Sequence, residues 1–105
     1  MNILFVCSRN KWRSRTAETM YSNHGRHQFK SAGTEKSARI RINESQLKWA
    51  DLIFVMEKKH KDRINDNFDL DLKSLNIIVL DIEDDYEYMD KELIAILKDS
   101  IGPYL

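Results

Sequence analysis

Short apolar segments alternate along this chain with longer segments that are rich in charge. Three of the apolar segments, Asn2–Val6, Asp51–Met56 and Asn76–Leu80, are apolar at nearly every position. Consecutive apolar residues over so short a length predict strands that are covered on both faces. We predict one further strand at Gln28–Ala32, which ends in the turn Gly33-Thr34.

The segments between these strands have the spacing and the capping residues of helices. The predicted helices are Arg13–Asn23, Asn43–Trp49, Glu57–Asn65 and Lys91–Ile101. Asn43 and Asp90 are residue types that cap helix N-termini. In the third helix we expect Ile64 and Phe68 to face inward and His60 to lie on the solvated face.

Strands that alternate with helices are typical of the α/β class. This order predicts a three-layer α/β/α fold, in which a four-stranded parallel sheet has helices on both faces and right-handed crossovers. A chain of 105 residues is long enough for one core, so we expect a single domain over residues 1–105. Apolar residues at 42% and charged residues at 32% are typical of a soluble globular protein.

The chain has one cysteine, Cys7, which excludes an internal disulfide and a cysteine-based zinc cluster. A lone thiol is typical of a reducing compartment. The apolar N-terminal run is too short for a signal peptide, and no segment has the length of a membrane span. We therefore expect a cytoplasmic protein that does not interact with membranes.

The formal net charge is zero, but the two ends of the chain differ in charge. Residues 1–64 contain 14 Lys and Arg against 6 Asp and Glu, whereas residues 65–105 contain 3 against 11. A basic half is compatible with nucleic-acid binding, but no aromatic platform or recognition motif accompanies the charge. We interpret the basic half as the surroundings of an anion pocket, and we do not expect a nucleic-acid partner.

The segment Cys7–Ser14 joins the first predicted strand to the first predicted helix. Backbone N–H groups in such a loop can form an anion-binding nest, and the helix N-terminus adds positive potential. A thiol placed there is expected to ionise readily. Arg13 offers two parallel donors to a phosphate, and Ser14 can donate a hydrogen bond to the thiolate. The loop therefore predicts a phosphate site in front of a sulfur nucleophile, the alternative being a cysteine that only packs at a strand end.

Several segments, in order along the chain, resemble the low-molecular-weight protein tyrosine phosphatases. The segment from Leu4-Phe5-Val6-Cys7 to Arg13-Ser14, followed by Thr16-Ala17-Glu18, is similar to the opening of that family. Later matches are Ser31-Ala32-Gly33-Thr34, Ala38-Arg39 with Ile42, Asp51-Leu52-Ile53-Phe54-Val55-Met56 and Ile82-Glu83-Asp84-Asp85-Tyr86. The resemblance covers most of the chain and implies the strand order 2-1-3-4.

The resemblance also implies a mechanism. Cys7 would be the nucleophile, Arg13 would stabilise the transition state, and Asp84 would be the general acid and base. Asp85 is the alternative acid because it stands where the family has a proline. The phosphate-binding residues implied are Ser8, Arg9, Asn10, Lys11, Trp12 and Ser14, with Asn10 bracing the loop. No metal or other cofactor is needed, and the substrate would be a phosphorylated protein or a small aryl phosphate.

The chain departs from the family pattern at three places. Arg9 replaces a glycine and would be strained at a positive φ, and Trp12 replaces a small or apolar residue. The segment 35–38 is shorter than the family's, which contributes part of the wall around an aromatic substrate. Two alternatives therefore stay open, a phosphocysteine carrier like the small sugar-transport IIB proteins and a non-catalytic phosphate-binding module.

Overall fold

A parallel sheet of four strands, in the order β2-β1-β3-β4, forms the middle of the fold. The computed structural model describes residues 1–69 and 74–105. The strands are β1 (Asn2–Cys7), β2 (Gln28–Gly33), β3 (Leu52–Val55) and β4 (Ile77–Val79). Each coincides with a predicted strand to within one or two residues at either end, and the predicted order 2-1-3-4 is confirmed.

Four helices connect or follow these strands, as predicted. They are α1 (Arg13–Tyr21), α2 (Glu44–Trp49), α3 (Lys58–Asn67) and α4 (Lys91–Ile101). Both predicted caps are present. The side chain of Asn43 accepts from the Gln46 N–H at 2.8 Å, and that of Asp90 accepts from the Glu92 N–H at 2.8 Å. No helix within residues 1–69 and 74–105 is long and apolar enough to cross a membrane.

The central strand β1 is buried on both faces, because alternate residues of a strand point in opposite directions. Ile3 and Phe5 belong to the core on the side of α1 and α4, whereas Leu4 and Val6 belong to the core on the side of α2 and α3. The predicted three-layer α/β/α architecture is confirmed. The loop that follows Cys7 therefore starts from a strand whose last five residues are all buried.

The prediction for α3 was right for Ile64 and Phe68 but wrong for His60. Ile64 is fully buried and Phe68 packs against the same core. His60 is also fully buried instead of lying on the solvated face. It stands four residues before Ile64, and residues at that spacing share one face of a helix. The face that carries Ile64 towards the sheet therefore carries His60 with it.

Candidate active site

One pocket lies at the carboxyl end of β1, where the chain turns into α1. This is the edge at which parallel sheets bind ligands. The pocket is lined by Cys7, Ser8, Arg9, Lys11, Trp12, Arg13 and Asp84. Six of these residues come from the segment 7–13 and one comes from the acidic segment after β4. The fold thus brings together the predicted nucleophile, the predicted phosphate-binding arginine and the predicted acid.

The thiol of Cys7 is almost enclosed and has one hydroxyl neighbour. Cys7 is only 3% exposed, and its Sγ lies 2.9 Å from Ser14 Oγ. Asn10 Nδ2 donates to the same hydroxyl oxygen at 2.8 Å. Ser14 Oγ also donates to the Ala32 carbonyl over a longer distance, 3.5 Å. When Cys7 is ionised its sulfur carries no hydrogen, so the Ser14 hydroxyl is the donor of this contact to the thiolate.

The left-handed backbone position in the loop falls on Asn10 and not on Arg9. Asn10 has a φ of 56°, a conformation that asparagine tolerates better than most residues. The strain expected for Arg9 is therefore absent. Its side chain extends to the pocket rim, where Nε lies 3.2 Å from Glu35 Oε2 in a pair exposed to solvent.

A second loop holds the backbone of the first in place. The N–H groups of Thr34, Glu35 and Arg39 donate to the carbonyl groups of residues 7, 8 and 9 at 2.9 to 3.0 Å. The two loops approach so closely that a Cβ on Gly33 would lie 2.6 Å from the Ser8 carbonyl oxygen. The backbone of residues 34, 35 and 39 thus braces the loop that follows β1, a role that the length of this segment did not reveal.

The backbone donors of the same loop are unused. Within residues 1–69 and 74–105, no hydrogen bond uses the backbone N–H groups of residues 8–12. These residues directly precede α1, whose first N–H groups also lack partners within the helix. A run of free N–H groups at a helix N-terminus is an anion-binding arrangement.

Arg13 is buried and its guanidinium is held from one side. Nη1 donates both to a carboxylate oxygen of Glu57 and to the carbonyl of Ile82, the latter at 2.8 Å. A guanidinium has five N–H groups, and among residues 1–69 and 74–105 no hydrogen bond uses Nε or Nη2. The Asp84 carboxylate lies at that same edge as an ion pair, with Oδ1 3.6 Å from Nε. Arg13 therefore offers two donors to a phosphate while its other edge is fixed to the protein.

Glu57, which anchors Arg13, was missed by the sequence analysis. Partial burial by itself would raise the pKa of its carboxyl, but the hydrogen bond and the charge of Arg13 outweigh burial and hold that pKa below its usual value. One signal could have found it. Glu57 follows β3 by two residues, and the carboxyl ends of neighbouring parallel strands meet at the same edge of a sheet.

His60, the second residue that the sequence analysis missed, lies directly behind the loop. Its Nδ1 accepts from the Glu57 backbone N–H at 3.0 Å, and its Nε2 lies 2.9 Å from Ser8 Oγ. Burial, followed by the positive charge of Arg13, lowers the pKa of His60 to about 4. The ring is therefore neutral near pH 7, so one of its nitrogens accepts a hydrogen bond and the other can donate one.

The two candidate acids differ in position. Asp84 lines the pocket, whereas its exposed neighbour Asp85 does not. The aromatic residues that follow point elsewhere. Tyr86 packs against the core, and the Tyr88 hydroxyl lies 2.9 Å from Thr19 Oγ1. Trp12, which is 40% exposed, is the aromatic residue that lines the pocket.

No metal site accompanies the pocket. Among the residues that the structure describes, no three His, Cys, Asp or Glu side chains converge in a way that could hold a metal ion.

Comparison with solved structures places the fold among the low-molecular-weight phosphatases. The YwlE arginine phosphatase from Geobacillus stearothermophilus has a TM-score of 0.72 and 21% identity, over 96% of this chain and 86% of that one. A low-molecular-weight protein tyrosine phosphatase from T. tengcongensis has a TM-score of 0.71 and 22% identity, over 97% and 93%. A protein tyrosine phosphatase from Entamoeba histolytica has a TM-score of 0.71 and 22% identity, over 95% and 90%.

No protein-family model and no curated protein sequence matched the chain. The structural likeness extends over nearly the whole chain, and at these identities it shows a shared fold.

Proposed function

We propose that this protein is a phosphomonoester hydrolase that works through a cysteinyl-phosphate. One observation carries the proposal. A single pocket contains Cys7, Arg13 and Asp84 beside the free backbone N–H groups of residues 8–12. A nucleophile, a fixed cation, an acid and an oxyanion nest are the parts that phosphoryl transfer to sulfur requires.

In the first step the Cys7 thiolate attacks phosphorus in line with the ester oxygen. The sulfur–phosphorus bond forms as the phosphorus–oxygen bond breaks, and Asp84 gives its proton to the departing oxygen. Arg13 and the loop N–H groups bind the three equatorial oxygens, on which charge is spread in the transition state. Ser14 stabilises the thiolate before attack, since its hydroxyl lies 2.9 Å from Sγ and a thiolate can only accept.

In the second step water replaces the thiolate. Asp84, now ionised, takes a proton from the water as its oxygen attacks phosphorus. The sulfur–phosphorus bond breaks, inorganic phosphate is released, and Cys7 leaves as a thiolate. Asp84 ends the cycle protonated and ready to act again as the acid.

For the substrate we propose a phosphotyrosyl protein or a small aryl phosphate. Trp12 lines the pocket and gives an aromatic leaving group a surface against which to pack. The solved structures with this fold include an arginine phosphatase as well as tyrosine phosphatases. A phosphoarginine peptide therefore belongs in the test, because protonation of a leaving nitrogen would need the same acid. A catalytic thiol that must stay reduced supports a cytoplasmic location.

The phosphocysteine carrier and the non-catalytic module make different demands on the pocket. A carrier keeps its phosphate until an acceptor arrives, so it has no use for a group that activates water. A non-catalytic module has no use for an acid. Asp84 lines the same pocket as Cys7 and Arg13, and this supports hydrolysis over both alternatives.

The test is hydrolysis of phosphotyrosyl, phosphoseryl and phosphoarginyl peptides, aryl phosphates and small phosphometabolites. Cys7→Ser and Cys7→Ala are the blanks; the alanine variant is needed because a serine hydroxyl can itself act as a nucleophile. We expect aryl phosphates to be hydrolysed by the wild type alone, and both variants to retain phosphate binding. Substantial hydrolysis by Cys7→Ala would contradict the mechanism. A wild type that forms a stable cysteinyl-phosphate and does not hydrolyse it would point to the carrier.

A further inference from the structure

We infer that the Ser8 hydroxyl is a phosphoryl-oxygen donor of the active site and that His60 is the residue that positions it. This inference rests on the proposed function. It assigns a role to a buried histidine that the mechanism above does not use.

The tautomer of His60 follows from its two hydrogen bonds. The Glu57 backbone N–H can only donate, so Nδ1 must carry a lone pair. The ring is neutral because it is buried beside the charge of Arg13. A neutral imidazole without a hydrogen on Nδ1 carries its hydrogen on Nε2. His60 therefore donates from Nε2 to Ser8 Oγ over 2.9 Å.

This donation fixes the direction of the serine hydroxyl. Ser8 Oγ uses a lone pair to accept from His60, so its single hydrogen must go to another acceptor. Among residues 1–69 and 74–105, no hydrogen bond joins Ser8 Oγ to the Cys7 sulfur, whose hydroxyl donor is Ser14. Ser8 is 9% exposed and lines the pocket. When a phosphate occupies the pocket, its oxygens are the acceptors that this hydrogen meets.

The same turn of α3 therefore serves two phosphate contacts. The carboxylate of Glu57 holds Arg13, and the backbone N–H of Glu57 holds the imidazole that directs Ser8. A hydroxyl fixed in this way donates without first reorienting, which is the condition under which a donor contributes most to catalysis.

The test measures kcat/KM on an aryl phosphate and the Kd of inorganic phosphate for a set of variants. Loss of one donor to a charged oxygen should lower kcat/KM by about 10- to 100-fold in Ser8→Ala and weaken phosphate binding. Ser37→Ala removes an exposed hydroxyl from the neighbouring loop, outside the pocket, and should leave both quantities unchanged.

Variants of His60 separate positioning from a purely structural role. Glutamine at this helix position can accept from the N-cap N–H and still offer an N–H to Ser8, so His60→Gln should keep most activity. His60→Leu loses both bonds and should lower kcat/KM nearly as much as Ser8→Ala. Placed on top of Ser8→Ala, His60→Leu should change kcat/KM little further, although it still lowers Tm.

The outcomes distinguish the inference from the proposed function. Equal losses from His60→Leu in the wild-type and Ser8→Ala backgrounds would refute positioning through the hydroxyl, as would an active Ser8→Ala with normal phosphate affinity. If His60→Leu does not fold, the comparison of His60→Gln with Ser8→Ala still decides, because weak phosphate binding in His60→Gln would contradict rescue. A wild type that binds phosphate through Ser8 but hydrolyses nothing would overturn the proposed function alone. A wild type that does neither would overturn both.

Discussion

Replacement of Glu57 by glutamine tests whether the buried Arg13 depends on a charged anchor. Glutamine keeps an oxygen that can accept from Arg13 Nη1 but removes the negative charge. The Arg13 side chain is 2% exposed and that of Glu57 is 28% exposed, so water replaces only part of the lost interaction. The Ile82 carbonyl and the side chain of Asp84 remain as partners of the guanidinium.

The expected magnitude follows from that partial exposure. Breaking a fully buried pair costs about 3–5 kcal/mol, and replacing a charged acceptor by a neutral one in a hydrogen bond costs about 1–2 kcal/mol. For Glu57→Gln we expect the lower range, about 1–2 kcal/mol in the free energy of unfolding. If the same loss misplaces the guanidinium, kcat/KM should fall by about 5- to 30-fold, since about 1.4 kcal/mol corresponds to a factor of ten.

The pair between Arg9 and Glu35 provides a matched control at the rim of the same pocket. Its side chains are 66% and 32% exposed, and exposed pairs contribute about 0–1 kcal/mol. Glu35→Gln should therefore change kcat/KM by no more than about threefold. The assays are steady-state hydrolysis of an aryl phosphate and urea unfolding of both variants. If Glu57→Gln matched Glu35→Gln in both assays, the carboxylate would not be what orients Arg13.

The pH dependence gives a further check on the same residue. Because the pKa of Glu57 is lower in the folded protein, its contribution to stability is present above its ordinary pKa of 4.5 and is lost as the pH falls through the folded value. The stability difference between wild type and Glu57→Gln should be constant near neutral pH and shrink below about pH 4.5. A difference that grew on acidification would contradict the assignment of the charge.

Three further predictions concern the other groups around the pocket. Arg13→Lys keeps the charge but loses the paired donors, so kcat/KM should fall by at least about 100-fold. A lysine variant with nearly wild-type kcat/KM would contradict the two-donor contact proposed for Arg13. Asp84→Asn should slow phenyl phosphate far more than nitrophenyl phosphate, and if Asp85→Asn showed that difference instead, the acid would be Asp85. Buried His60 takes up a proton only near pH 4 whereas the unfolded chain does so near 6.5, so the free energy of unfolding should fall by about 3 kcal/mol between those values. His60→Gln should lack this part of the decrease when its free energy of unfolding is measured by urea titration across that pH range. An equal decrease in both proteins would refute the prediction.

The elements of the fold were predictable because their signals are local. An apolar run such as Asn2–Val6, a capping residue such as Asn43 and a helix that begins at Arg13 are all read from neighbouring residues. The strand order came from the resemblance, since spacing alone does not say which strands are neighbours. The position of the pocket at the loop from Cys7 to Ser14 was also predictable, because its cysteine, its candidate donors and its place between strand and helix lie within eight residues.

The supports of the site were not predictable in the same way. Glu57 contacts a residue 44 positions earlier and His60 one 52 positions earlier, and no periodicity reports such a partner. The backbone of the loop was misjudged as well, because the glycine of the resembled family drew the expectation of a positive φ to Arg9, whereas asparagine is the residue type that tolerates it better. Asn10 takes it, which leaves Arg9 unstrained.

The packing of α3 and the geometry of the pocket depend on each other. His60, Ile64 and Phe68 follow each other at intervals of four residues and share one face of the helix. The contacts that pack α3 against the sheet therefore also fix the position of the imidazole next to Ser8. Glu57 caps the same helix two residues after β3 ends, which places its carboxylate at the sheet edge where Arg13 begins α1. A shift of α3 by one residue would carry both contacts away from the pocket together. The positions of the polar residues at the start of α3 therefore depend on how the apolar residues further along the helix pack. His60 is buried because the same packing places it beside the pocket.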